Sequence, residues 1–168
     1  MQMDQLAIEL GEVTMDPLEE YEHLFRTLFE NSDEGIMVLQ PGLEGRILEA
    51  NYAAADMHGR TIEEMARLKA SDLHPVEELP KVAQTIERVI NGEWVDVEHE
   101  HVRKDGSKFP VRYRACSAYY LGARVMVLFA RDVSDEEHIK RALRQCAREL
   151  ADRTGKKPRP KKQPRQAI

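Results

Sequence analysis

The alternation of apolar and polar residues from Gly92 to Ser134 predicts three consecutive antiparallel strands. The first two, WVDVEHEHVRK and SKFPVRYRACSAYY, flank Asp105-Gly106, a pair that favours a two-residue hairpin turn through positive φ values. A second turn falls at Leu121-Gly122. The strand that follows, RVMVLFARDV, is apolar at both alternating sets of positions, which is typical of a strand covered on both faces. We therefore expect this strand to lie in the centre of a sheet.

An N-terminal helix is predicted to begin at Asp16 and Pro17, because Asp is a preferred N-cap and Pro fits the first helical position. Its apolar positions form one wide stripe of Leu18, Tyr21, Leu24, Phe25, Leu28 and Phe29. The stripe either packs on the helix's own domain or is partly buried against a second copy, and the pattern does not decide between the two. The preceding residues 1–16 fit a short strand as well as a short helix.

Between this helix and the three strands, GIMVLQ and GRILEAN read as a short β hairpin. Asn51 is placed to cap the helix YAAADMH, which Gly59 ends. A capping box from Thr61 to Glu64 opens another short helix, TIEEMARL. A longer helix within PVEELPKVAQTIERVING then delivers the chain to the first of the three strands.

The last helix is predicted to begin with a capping box at Ser134 and Glu137. Its apolar positions form a narrow seam of Ile139, Leu143, Cys146 and Leu150. Such a seam is typical of a two-stranded coiled coil, although two heptads are short for a free one. The helix is therefore expected either to fold back onto its domain or to pair with a partner copy.

This order of elements, together with GIMVLQ, GRILEAN, MHGRTIEEM, DLHP, KDGSKFPV and RDVSDEE, closely resembles the PAS (sensory-box) family over about residues 20–140. The resemblance implies an α+β fold with a five-stranded antiparallel sheet in the order 2-1-5-4-3. Short helices would cover one face, and flanking helices would stand at both ends. The chain would then divide into an N-terminal extension (1–16), a flanking helix (17–31), the PAS-like domain (32–133), an exit helix (134–152) and a basic tail (153–168).

The resemblance implies a function in sensing and signal transduction. PAS domains hold a small molecule between the sheet and the helices, or act purely as dimerisation modules, and relay changes through flanking helices. Asp132 and Ser134 match the exit motif that couples the last strand to the output helix in relatives, although both also fit a purely local capping role. We expect a homodimeric signalling module that binds a small ligand or a partner. The alternatives are a ligand-free dimerisation adaptor and a polyanion-associated protein that acts through its basic tail.

Two sets of residues follow from this interpretation. The ligand pocket is predicted to be lined by Ile36, Val38, Met57, Met65, Leu73, Val82, Ile86, Val97, His99, His101, Val111, Tyr113, Val127 and Phe129. The dimer interface is predicted to contain Leu18, Tyr21, Leu24, Phe25, Leu28, Ile139, Leu143 and Leu150. For each pocket residue, ordinary core packing is the competing interpretation.

The sequence assigns no cofactor. Haem-binding PAS domains carry a histidine in the helix before the three strands, and Val76–Ile90 contains none. Light-sensing flavin domains of this fold use a cysteine in the preceding short helix, where RLKASDLHP has none, so only a flavin held without a covalent bond stays open. His99 and His101 share one face of a strand, but without an evident third ligand they predict no metal site. Facing the pocket, they would bond a polar ligand in a pH-dependent way.

Composition places these elements in one globular domain with extensions. The 168 residues are 42% hydrophobic, enough for a core that needs no cross-links. No apolar run approaches the roughly 18 residues of a membrane span, and the N-terminus lacks the features of a signal peptide. Cys116 and Cys146 fit free thiols in a reducing compartment. We therefore expect a cytoplasmic protein with no membrane contact.

Charge is distributed unevenly along the chain. The net charge is −5, and because Arg153–Ile168 contributes +7 with no acid, residues 1–152 carry −12. The proline-containing tail is predicted to be disordered. Without base-reading elements it indicates weak electrostatic attraction to polyanions rather than specific nucleic-acid binding.

Catalytic motifs are missing from the sequence. No nucleophile elbow, P-loop, dinucleotide glycine pattern or metalloprotease helix occurs, and the PAS-like region leaves no room for a kinase, cyclase or phosphodiesterase domain. We therefore do not expect an enzyme, and the output is expected to be a separate protein.

Overall fold

Five strands form one antiparallel sheet in the order 2-1-5-4-3 in a computed structural model of the protein, which describes the backbone of residues 16–154. The strands are β1 (Gly35–Leu39), β2 (Ile47–Ala50), β3 (Val95–Val102), β4 (Lys108–Tyr120) and β5 (Ala123–Asp132). Strand β5 pairs with β1 on one side and with β4 on the other. The prediction that RVMVLFARDV occupies the middle of the sheet is confirmed.

Helices cover one face of the sheet and extend from its two ends. They are α1 (Pro17–Glu30), α2 (Tyr52–Met57), α3 (Ile62–Met65), α4 (Leu79–Ile90) and α5 (Ser134–Thr154), with 3-10 helices at Ala70–Leu73 and Val76–Glu78. Helices α2 to α4 and the two 3-10 helices form a layer over the sheet, which we call the helical layer, while α1 and α5 flank it. We call the space between the sheet and this layer the interior.

The residues predicted to cap the starts of α1 and α3 form the expected hydrogen bonds. The Asp16 carboxylate accepts a hydrogen bond from the amide of Leu18 at 3.0 Å, and Pro17 occupies the first turn of α1. Thr61 and Glu64 form the predicted capping box of α3. Helix α2 lies so close to β1 that a Cβ on Gly35 would stand 3.0 Å from Cα of Ala54, so any larger residue there would push the helix and the strand apart.

Asn51 connects four segments of the fold. Its side-chain oxygen accepts from the amides of Ile36 at 2.8 Å and Ala54 at 3.0 Å, and its amide group donates to the carbonyls of Phe29 and Glu34, each at 2.9 Å. The side chain is fully buried. This residue therefore caps α2 and ties the end of α1 to the edge of β1.

The first hairpin differs from its predicted geometry. Gly106 has a positive φ of 83°, whereas Asp105 does not. The amide of Gly106 donates to Arg103 at 3.0 Å, and that of Arg103 donates to Ser107 at 2.9 Å. This is a three-residue loop that ends in a left-handed glycine, so the prediction of a two-residue turn is wrong. The Asp105 carboxylate instead accepts from the amide of Ser107 at 2.9 Å and stabilises the loop.

Several expectations fall near the ends of the described region. Helix α5 continues to Thr154, two residues beyond the expected boundary. The extension and most of the basic tail (residues 1–15 and 155–168) lie outside the described residues, as does the side chain of Leu150. Within the described part of the chain, no helix combines the length and the apolar character that crossing a bilayer requires.

Candidate functional site

Side chains fill the interior almost completely. Among the described residues, the cavity between the sheet and the helices measures about 20 Å³, roughly the space that one water molecule needs. Leu73, Val82, Ile86 and Tyr113 line it, and His74 and Thr85 add polar groups to its wall. A small organic ligand would therefore have to displace side chains or lift the helical layer.

The structure places ten of the fourteen predicted pocket residues on the interior side of the sheet. In addition to the four that line the cavity, these are Met57, Met65, Val97, His99, His101 and Val111 in the surrounding core. The rings of His99 and His101 pack against Tyr113, with centroid distances of 5.7 and 6.0 Å. The two histidines of β3 therefore do face inward.

The other four predicted pocket residues lie on the opposite face of the sheet. Ile36, Val38, Val127 and Phe129 line an apolar groove of about 280 Å³ beside α1. Ile36 is opposite Phe129 in the sheet, whereas the next pair, Met37 and Leu128, points into the core. Their assignment to the pocket is wrong, because successive side chains of a strand point to opposite faces.

Four buried histidines stand in one row through the interior. They are His58 at the end of α2, His74 after the first 3-10 helix, and His99 and His101 on β3; we call them the histidine row. Their exposed fractions are 0%, 9%, 8% and 0%, respectively. The ring centroids are 5.2 Å apart for His58 and His101, 4.3 Å for His101 and His74, and 6.0 Å for His74 and His99. Sequence reasoning found the β3 pair but did not assign His58 to the site and treated His74 as a turn residue.

Hydrogen bonds fix the protons on two of these rings. His58 Nδ1 lies 2.7 Å from the carbonyl oxygen of Ala54, which can only accept, so this nitrogen carries a proton. His58 Nε2 is then the acceptor in its 2.9 Å bond with His101 Nδ1 when His58 is neutral. A neutral His101 therefore donates from Nδ1 and has a bare Nε2. That nitrogen is buried and has no hydrogen-bond partner.

Burial keeps much of the row neutral. It lowers the pKa of His58 from 6.5 to about 4, against the opposing effect of the Ala54 carbonyl. Burial likewise lowers the pKa of His74 to about 4, although the ring bonds the Glu100 carbonyl at 3.0 Å. Burial, reinforced by the neighbouring histidines, holds the pKa of His101 well below 6.5.

His99 has polar partners on both nitrogens. Nδ1 is 3.2 Å from a carboxylate oxygen of Glu78, and Nε2 is 3.2 Å from the hydroxyl of Thr85. The same hydroxyl is 3.2 Å from the Lys81 carbonyl, so it can donate to that carbonyl while it accepts from His99. Both nitrogens of His99 therefore have hydrogen-bond partners at this end of the row.

The row ends next to the start of the exit helix. Arg103 donates to the carbonyl of Met57, the residue before His58, and at 2.6 Å to Oδ2 of Asp132. Oδ1 of Asp132 accepts from the amide of Ser134 at 2.8 Å and from its hydroxyl at 2.6 Å. The Asp132 carboxylate, rather than the Ser134 hydroxyl, therefore anchors the first turn of α5.

Most of the residues predicted to form a dimer interface are exposed in the single chain. On α1, Leu18, Tyr21, Leu24, Phe25 and Leu28 are 55–73% exposed. On α5, Ile139 and Leu143 are 61% and 64% exposed. Phe25 and Leu28 also line the apolar groove on the outer face of the sheet, so the α1 stripe and the groove form one continuous apolar surface.

No three histidine, cysteine or acidic side chains among the described residues are grouped to hold a metal ion. The histidine row is a line of rings in contact through faces, edges and one hydrogen bond, rather than a set of nitrogens that converge on a point.

Comparison with known proteins identifies relatives of this domain. A family model described as a PAS domain matches residues 33–135. The chain is 25% identical over 130 residues to the methyl sulfide methyltransferase-associated sensor of Methanosarcina acetivorans. The match covers 77% of this chain but 13% of that protein, so the chain spans a small part of that relative.

Solved structures of other proteins share the fold, and two of them show the extent of the similarity. A domain of a sensory box sensor histidine kinase/response regulator from Geobacter sulfurreducens is 24% identical with a TM-score of 0.57, over 70% of this chain and 98% of that one. The PAS domain of an HTR-like protein from Haloarcula marismortui is 24% identical with a TM-score of 0.59, over 68% and 93%. Both agree with the observed sheet and its helical cover.

Proposed function

The chain belongs to the PAS domain family, and from this premise we propose that it is a homodimeric sensory module that relays the state of its interior through its flanking helices. Such domains serve as sensory parts of signalling proteins, and the curated relative is itself named a sensor. We assign this domain no catalytic step. The observation that carries the proposal is the polar connection from the end of α2 through Arg103 and Asp132 to the first turn of α5.

This connection gives a rearrangement of the interior a physical route outward. Arg103 bonds the last turn of α2 and the carboxylate of Asp132, and it also stacks over Phe109 with 3.7 Å between the guanidinium carbon and the ring centroid. A shift of α2 relative to β3 would move the guanidinium. Since Asp132 holds Ser134 through two hydrogen bonds, the direction of α5 would change with it.

The apolar surface of α1 supports the proposal that a second copy of the chain binds there. An isolated chain would keep five large apolar side chains of one helix, and the adjoining groove, in contact with water. Contiguous apolar surface of this kind marks an interaction site in soluble proteins. A two-fold dimer buries the same patch from both copies, and it would bring the two exit helices into a common assembly.

Sedimentation tests this interface. Phe25→Glu should convert the dimer to a monomer, because a charge would enter the apolar contact. His23→Glu is the matched control, since it introduces the same side chain on the opposite side of α1 and should leave the dimer intact. A monomeric wild type, or an unchanged dimer in Phe25→Glu, would contradict the proposed interface.

A ligand-free adaptor is the second candidate function, and the 20 Å³ cavity favours it. Native mass spectrometry of freshly purified protein separates the two candidates for small-molecule input. A retained small molecule, or thermal stabilisation by one compound of a ligand panel, would support ligand sensing. A dimer without any bound molecule and without response to such a panel would support the adaptor.

A further inference from the structure

We propose that the input to this module is acidification: the histidine row takes up protons from water, the helical layer loosens from β3, and the change reaches α5 through Arg103 and Asp132. This proposal rests on the sensory role proposed above and names its stimulus. It is carried by four rings in contact inside a filled interior, one end of which lies near the surface and the other at the exit helix.

The interior favours protons over larger ligands. Its cavity has room for about one water molecule. The polar side chains that other proteins would use to hold a ligand are instead in contact with one another, from Glu78 and His99 to His101 and His58. A proton needs no cavity. It needs a lone pair, which the structure supplies at Nε2 of His101.

The bond between His101 and His58 lets a proton change place. A proton taken up at Nε2 of His101 makes that ring cationic, and the proton on its Nδ1 can then move along the 2.9 Å bond to His58 Nε2. His58 becomes the imidazolium, and His101 becomes neutral again with its proton on Nε2. Both N–H groups of the charged His58 then have acceptors, the Ala54 carbonyl and the bare Nδ1 of His101.

Charged groups stand at both ends of the row. Arg103 and Arg60 oppose a positive His58, whereas Asp132 favours it. At the other end, Glu78 accepts from His99 and also favours protonation of His74, while Lys81 pairs with Glu78 at 2.8 Å. In the centre, each histidine that becomes charged opposes a charge on the next. The row therefore holds few protons in its packed form.

When the helical layer loosens, the histidine row can hold more protons than it does in its packed form. In an open conformer the imidazoles are solvated and accept protons near their ordinary pKa of 6.5, whereas burial holds the pKa of His58 and His74 to about 4 in the closed form. Each such histidine raises the open-to-closed ratio by roughly tenfold per pH unit between these limits. Two such histidines together raise the open-to-closed ratio by roughly a hundredfold per pH unit. A small population of the open conformer above pH 7 therefore becomes a large one near pH 5.

The opening would act directly on the exit helix. His58 is joined to the loop after β3 by a 2.9 Å bond from the Lys104 amide to its carbonyl, and Arg103 in the same loop holds both Met57 and Asp132. A charged His58 repels Arg103. Because Asp132 fixes the first turn of α5, displacement of Arg103 frees that turn to move.

A pH titration of the full-length chain by NMR tests the proposal within one protomer. The imidazole signals and the Ser134 amide are followed from pH 7.5 to 5.0, together with hydrogen exchange at the sheet amides of Ala115 and Leu128. We expect the Ser134 amide to change with the same midpoint as the rings of His58 and His101, while the sheet stays protected. His101→Leu should reduce the Ser134 response at least several-fold, and His138→Gln on the exposed side of α5 should leave it unchanged.

Three results would overturn the proposal: a Ser134 amide that does not follow the buried rings, loss of sheet protection at the same pH, or an equal response in His101→Leu. If His101→Leu does not fold, the response of the Ser134 amide and the protection of the sheet amides in the wild type still test the proposal. The readout does not depend on dimerisation. A static Ser134 amide with an intact dimer would reject protons as the signal and leave the sensory module standing, whereas a monomer that shows the Ser134 response would reject only the dimer.

Discussion

Acidification from pH 7.5 to 5.5 should destabilise the folded domain through its buried histidines. Burial lowers the pKa of both His58 and His74 from 6.5 to about 4. Between these values the unfolded chain binds more protons than the folded one, so stability is complete above pH 6.5 and falls as the pH drops towards 4. For each histidine the loss between pH 7.5 and 5.5 is about 1.3 kcal/mol, or about 3 kcal/mol for the two.

Asp132, which anchors the exit helix, does not contribute to the loss of stability between pH 7.5 and 5.5. Burial raises the pKa of Asp132, but hydrogen bonds from Ser134 and Arg103 more than offset it and bring the pKa below 3.8. The contribution of such a group is lost only as the pH falls through that lower range. His101, whose pKa burial holds well below 6.5, adds to the histidine effect in the same direction.

Urea unfolding at a series of pH values and one protein concentration measures the effect. The free energy of unfolding should fall by about 3 kcal/mol or more from pH 7.5 to 5.5, and His74→Gln should reduce the slope. His138→Gln is the matched control, because that side chain is exposed. A free energy that stays constant within about 0.5 kcal/mol over this range, below the share of even one buried histidine, would refute the reasoning.

Two substitutions test the connections around the interior. Asn51→Ala removes the four hydrogen bonds of a buried side chain and should lower the free energy of unfolding by about 3 kcal/mol in urea; a loss below about 1 kcal/mol would contradict its role. Asp132→Asn leaves Arg103 without its carboxylate, so it should cost about 1–2 kcal/mol and shift the Ser134 amide signal, whereas Asp135→Asn in the same turn should do neither. An unshifted Ser134 signal in Asp132→Asn would show that the carboxylate does not anchor α5.

The sheet was predictable because local signals agreed with one another. Turn residues and alternation predicted the strands, and the doubly apolar fifth strand predicted its central position, whereas the full strand order followed from the resemblance to the PAS family. The residues of β5 that face the interior were predicted wrongly, because a strand that is apolar on both faces does not show which of its two alternating sets of side chains points inward. The two-residue turn at Leu121-Gly122 indicates the correct face, because it fixes a register in which Tyr113 is paired with Ala130. Tyr113 alternates with the charged Arg112 and Arg114, so Tyr113 and its partner Ala130 are the residues that face the interior.

The histidine row was only half predictable. The spacing of His99 and His101 on one strand puts both on the same face, which the structure confirms. His58 and His74 come from a helix end and a turn, and their approach to β3 depends on how the helical layer packs. No local pattern carries that information. The fit between Arg103 and Asp132 across 29 residues is likewise a product of tertiary structure.

The most direct test of the coupling between interior and exit helix is hydrogen exchange at the first hydrogen-bonded turn of α5 in His101→Leu and in the wild type at pH 7.5. The substitution removes the bond to His58 from inside the domain. If the coupling exists, exchange at the Glu137 amide, which bonds the carbonyl of Val133 at 3.0 Å, should become several-fold faster while the Leu128 amide of the sheet is unchanged. Equal exchange at Glu137 in the two proteins would contradict the account.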